Sequence, residues 1–123
     1  MSAPTMSALL LTADLACSSK AAGAAARADV ELATAMSVAA LFERLASRPA
    51  DLVLLDLTAP GLNPAEVVGK LKALPAPPRA VIAFGPHVHE AKLAAAAEAG
   101  CDQVLARGAF YAQLEQLLRQ SRP

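Results

Sequence analysis

The stretch Leu52-Val53-Leu54-Leu55-Asp56-Leu57-Thr58-Ala59-Pro60-Gly61-Leu62-Asn63 carries the reading of the fold. Leu52 to Leu55 is the most apolar run of the chain, and it leads straight into a carboxylate. An apolar run of strand length, without polar alternation, marks a strand covered on both faces. Pro60 and Gly61 then turn the chain. Asn63 is placed to cap a helix, and Pro64 to open it at the first helical position. Val67, Leu71 and Leu74 give that helix one apolar face. Strand, loop and helix in this order form one βα unit.

The same alternation repeats outward from this unit. Upstream, Ala8 to Thr12 and Val30 to Thr34 are short strand-like runs. Between them, Leu15 to Ala28 reads as an alanine-rich helix that Gly23 weakens. Ser37 caps a second helix, on which Val38, Leu41, Phe42 and Leu45 share a face, and Pro49 ends it. Downstream, Pro75, Pro77 and Pro78 break the chain before a fourth strand, Ala80 to Phe84, which Gly85-Pro86 stops. His87 to Ala99 reads as a fourth helix with Gly100 just past its end. Gln103 to Ala106 reads as the fifth strand. Phe110 to Gln120 is the last helix, with Phe110, Leu114, Leu117 and Leu118 turned inward. Alternating strands and helices predict a doubly wound α/β domain, a parallel sheet with helices on both faces. The domain is expected over residues 7–120, after a disordered lead at 1–6 and before a tail at 121–123. No output domain is expected in this chain.

Composition narrows the function. A length of 123 residues suits one domain. Hydrophobic residues make up 55% but aromatics only 3%, so Leu, Val and Ile must build the core while alanine lets helices approach closely. The 11 basic and 11 acidic residues leave a net charge of +0, which argues against nucleic acid as the main partner. No secretory leader and no membrane-length apolar run is present, and the chain reads as cytoplasmic. The 2 cysteines, Cys17 and Cys101, lack CxxC spacing and read as thiols rather than a disulfide framework.

In an open parallel sheet, ligands bind beyond the carboxyl ends of the strands, where the strand order reverses. With the order 2-1-3-4-5, the first and third strands are neighbours, and Asp14 and Asp56 share a crevice. Two close carboxylates repel, which favours a bound cation or a shared proton. Asp14 has an alternative use as the cap of its own helix. His87 and His89 form an HxH pair with no further ligand nearby in sequence and read as a solvated helix start. No glycine-rich phosphate loop, nucleophile elbow or nucleophile–base pair is present, so the chain does not read as an enzyme.

The stretch from Leu52 to Asn63 resembles the phosphoacceptor strand and following Pro-Gly loop of the receiver domains of bacterial two-component response regulators. Glu98-Ala99-Gly100-Cys101-Asp102 is similar to that family's Ala-Gly-Ala-Asp turn before the fifth strand. The resemblance runs from about Ser7 to Gln120 and implies a flavodoxin-like (βα)5 fold. It also implies Asp56 as the phosphoacceptor position, with Asp14 as one of the acidic pair that joins it in holding Mg²⁺.

Four departures set this chain apart from the family. Ala13-Asp14 stands where an acidic pair is expected, so Mg²⁺ binding is weakened. Gly85 replaces a Thr or Ser and brings no hydroxyl. Pro86 has no N–H to offer a phosphoryl oxygen. Arg107 replaces a Lys, keeping the charge but not the compact ammonium. The family's switch aromatic is Val104. Charge-assisted hydrogen bonds are worth roughly 1.5–3 kcal/mol each. Losing two removes most of a switching bias of ~1–3 kcal/mol.

The reading is therefore a degenerate, phosphorylation-independent interaction module. Its partner would be a histidine kinase, a regulator or a second copy of the chain, met through the face of helix 4, strand 5 and helix 5. A working phosphoacceptor at Asp56 is the first alternative, and a small-ligand domain of the same fold the second.

Overall fold

The computed structural model describes residues 6–120. The parts of the lead and tail expected at 1–5 and 121–123 lie outside the described residues. Five βα units follow one another: β1 (Ser7–Leu11), α1 (Leu15–Ala28), β2 (Glu31–Ala35), α2 (Val38–Ser47), β3 (Leu52–Asp56), α3 (Pro64–Lys72), β4 (Ala80–Gly85), α4 (Glu90–Ala99), β5 (Gln103–Ala106) and α5 (Arg107–Gln120). The strands form one parallel sheet in the expected order β2-β1-β3-β4-β5.

Strand periodicity divides the core in two. Side chains alternate across a strand, so even and odd residues of β3 face opposite layers. Leu52 and Leu54 pack with Leu10, Ile82 and Phe84 against α1 and α5. Val53 and Leu55 pack with Leu9, Leu11, Val81 and Ala83 against α2, α3 and α4. All of β3 is buried, as its unbroken apolarity requires. On the first side, Ala21, Ala24, Ala25 and Ala28 bring α1 close to the sheet, and Phe84 stacks on Phe110 with ring centroids 3.8 Å apart. On α1, Gly23 leaves the helix unbroken, and a methyl group there would meet the Arg27 guanidinium at 3.3 Å.

Local chemistry sets the helix ends. Asp14 caps α1, Ser37 caps α2 and Asn63 caps α3, each through its side-chain oxygen. Pro64 opens α3 as expected. Gly100 closes α4 at φ 104, in the left-handed region that costs glycine little.

Several ends depart from the sequence reading. Met6, expected in the lead, is buried in the core. β1 stops at Leu11, one residue before Thr12, and β2 runs from Glu31 to Ala35 rather than from Val30. α4 starts at Glu90 rather than His87, because the His89 N–H bonds back to the Pro86 carbonyl in a turn. α5 starts at Arg107, straight from β5, rather than at Phe110. Leu74 lies just past α3 but still packs on the core. No described helix is long and apolar enough to cross a membrane.

Candidate functional site

The crevice lies at the carboxyl end of the sheet, around Asp56. β1 and β3 pair in register up to Leu11 and Leu55. One step further along the same register, Thr12 falls opposite Asp56. Both continue the even phase of their strands, so both side chains project toward the α1–α5 side. The Thr12 hydroxyl donates to Asp56 Oδ2 at 2.7 Å. Among the described residues, Thr12 and Asp56 are the only fully buried polar side chains, each 1% exposed. They satisfy each other, as burial of polar groups demands.

The other Asp56 oxygen is more heavily used. Oδ1 accepts from the Thr58 N–H at 2.9 Å and from the Thr58 hydroxyl at 2.7 Å. It also accepts from Arg107 Nη2 at 3.3 Å. That same Nη2 donates to the Thr58 hydroxyl oxygen at 3.2 Å. Thr58 thus lies between the cation and the carboxylate, donating to one and accepting from the other. Arg107 occupies the first position of α5, one residue beyond the Gly85–Ala106 pairing of β4 and β5. Its side chain is 31% exposed, and its Nε is buried without a partner in the structure.

Asp14 takes the capping role that its sequence position also offered. Its Oδ1 accepts from the Ala16 N–H at 2.9 Å and the Cys17 N–H at 3.4 Å, so the carboxylate serves the start of α1. Negative charge is favoured there by the orphan amides and the helix dipole. Its backbone N–H donates to the Thr12 hydroxyl oxygen at 3.1 Å. Gly85 ends β4, and a methyl group there would meet Leu57 Cβ at 3.4 Å, an ordinary contact. Glycine is therefore not needed at this position for space. Pro86 follows it, and His87, Val88 and His89 are exposed on the turn before α4. Among the described residues, no three His, Cys, Asp or Glu side chains converge as metal ligands. Val104 is half-buried on β5, at the edge of the sheet. Cys17 is buried, and burial followed by the Asp102 charge pushes the half-buried Cys101 thiol up to about 11.

Sequence reasoning missed Thr12 and Thr58. Both had a signal. Thr12 is the first polar residue after an apolar strand, in even phase with Leu10, and Thr58 stands two residues after the carboxylate. An Asp side chain commonly accepts from the backbone N–H two residues on.

No protein-family profile matches the sequence, and no curated protein matches it. Solved structures do. A CheY-like response regulator receiver domain from Methylobacillus flagellatus superposes with a TM-score of 0.81 at 21% identity, over 97% of this chain and 100% of that one. The signal receiver domain of NarL from Mycobacterium tuberculosis gives 0.81 at 18% identity, over 96% of each chain. The phosphorylated cyanobacterial phytochrome response regulator RcpA gives 0.76 at 20% identity, over 95% of this chain and 91% of that one. This chain has the fold of a response regulator receiver domain. The receiver fold puts Asp56 at the end of the central strand and Arg107 directly after the last one. What these residues do there follows from their own contacts.

Proposed function

We propose that the chain is a receiver-type module of two-component signalling that works through protein contacts, without phosphorylation of Asp56. The observation that carries this is the closed network Thr12–Asp56–Thr58–Arg107. An acyl phosphate forms when a carboxylate oxygen attacks phosphorus with a free lone pair. Oδ1 already accepts three donors, so attack from it requires breaking that set. Oδ2 holds one donor, but little is arranged to receive the phosphoryl oxygens. Gly85 brings no hydroxyl and Pro86 no N–H, while the Thr58 N–H is already spent on Oδ1. Stabilisation of transferring phosphoryl groups depends on donors aimed in advance at their oxygens.

The face formed by α4, β5 and α5 is the proposed contact surface. β5 is an edge strand carrying the half-buried Val104 and Leu105, and Leu93 on α4 is half-buried as well. A histidine kinase, a regulator or a second copy of the chain would meet this surface. The module would be a signalling component of the cytoplasm rather than an enzyme.

A second reading is a working phosphoacceptor. It is favoured by the position of Asp56 itself, a carboxylate at the carboxyl end of the central strand. Titration with beryllofluoride and Mg²⁺, followed by NMR, separates the two. The proposal expects no change at the amides of Leu57 and Thr58. A discrete second set of signals there would favour the phosphoacceptor.

A further inference from the structure

We infer that the crevice works without a metal ion, because Thr12 and Arg107 hold and neutralise Asp56 from within. The inference deepens the proposed function by stating what keeps the same site in one state.

The receiver fold implies Mg²⁺ beside the acceptor carboxylate, so the donors present can be tested against that ion. Mg²⁺ demands near-octahedral oxygen ligands and is usually held by one or two carboxylates, keeping several waters. This crevice brings one carboxylate, Asp56. Directly opposite it stands the neutral Thr12 rather than a second carboxylate. Its proton points at Asp56 Oδ2, and its oxygen accepts from the Asp14 N–H. Both the donor and an acceptor site of the Thr12 hydroxyl are thus engaged within the protein. Ala13 has no ligand atom, and the Asp14 carboxylate is engaged at α1. On the other side, Arg107 sets a permanent positive charge 3.3 Å from Oδ1. A divalent ion entering there meets that charge, and the partly buried setting screens it less than water would.

The replacement is complete in kind. A cation bound to a carboxylate supplies positive charge and fixes its oxygens. Arg107 supplies the charge, and the hydroxyls of Thr12 and Thr58 fix both oxygens. Thr58 also steadies Arg107, so the charge is positioned as well as present.

Mn²⁺ is the probe, read by paramagnetic broadening of amide signals in the full chain. In the wild type, the amides of Leu57 and Thr58 should broaden no more than those beside exposed carboxylates such as Glu43 and Glu98. In the double variant Thr12→Asp/Arg107→Gln they should broaden first. Selective broadening at Leu57 and Thr58 in the wild type overturns the inference. A folded double variant that still shows none overturns the assignment to Thr12 and Arg107. Should the double variant not fold, Arg107→Gln alone carries that arm, and the wild-type arm decides independently. Selective Mn²⁺ broadening without a beryllofluoride adduct sinks this inference and leaves the proposed function standing. An adduct without such broadening does the reverse.

Discussion

Arg107 pairs with Asp56 at 3.3 Å, across 51 residues of sequence, and the pair has one buried and one partly exposed member. The buried member sets the energetics. Removing the partner of a buried charge costs far more than an exposed ion pair contributes. Asp56 keeps its other donors when Arg107 is lost, and Arg107 is 31% exposed, so the cost is reduced. Arg107→Gln should destabilise by about 1–2 kcal/mol. Chemical denaturation of the single variants and of Arg107→Gln/Asp56→Asn should reveal coupling between the two. Strict additivity would contradict it.

Thr12 should matter through its hydroxyl alone. Thr12→Val keeps the shape but leaves Asp56 Oδ2 and the Asp14 N–H short of a partner. A cost of about 1–3 kcal/mol is expected. Thr12→Ser should recover most of it. Equal stability of the wild type and Thr12→Val would show that the buried bond contributes nothing.

The Phe84–Phe110 stack ties the strand beside Asp56 to the helix that begins at Arg107. Phe110 is fully buried. Phe110→Ala should cost about 3–5 kcal/mol, as large-to-small core changes do. It should also disturb the Thr58 amide signal, since α5 carries Arg107 to the crevice. A destabilised variant with an unmoved Thr58 signal would show that the crevice does not depend on the stack.

Acid should loosen the α1–α5 contact. Hydrogen bonds from Arg27 and then Arg119 hold the Glu115 carboxyl below its ordinary value, and Arg48 does the same for Glu31. Both folded values lie below the unfolded ones. Their stabilisation is therefore present above the ordinary glutamate pKa of about 4.3 and is lost as pH falls through the folded values. These pairs are exposed, so the effect should be small and weakened by salt. Tm followed from neutral pH into the acid range should fall less steeply in Glu115→Gln. An identical acid slope would contradict the assignment.

Much of this fold is legible in the residues. The run from Leu52 to Leu55 announces a doubly covered strand, and Asn63-Pro64 marks the start of α3. Helix starts without such chemistry are not legible. α4 begins at His89-Glu90 with no side-chain cap, and α5 begins with no loop at all. The pairing of Asp56 with Arg107 could be guessed from opposite charges at two strand ends. The Thr12–Asp56 bond could not be found by matching acidic residues. It follows from register, because the strand phase carries Thr12, not Asp14, opposite Asp56.

The central claim is that Asp56 is held, not phosphorylated. The most direct measurement is incubation of the wild type with a small phosphodonor and Mg²⁺, with intact mass and peptide mapping of the product. No acyl phosphate should accumulate on Asp56. Gly85→Ser should not restore one, because Pro86 and the spent donors remain. Stoichiometric phosphorylation of Asp56 in the wild type would contradict the account.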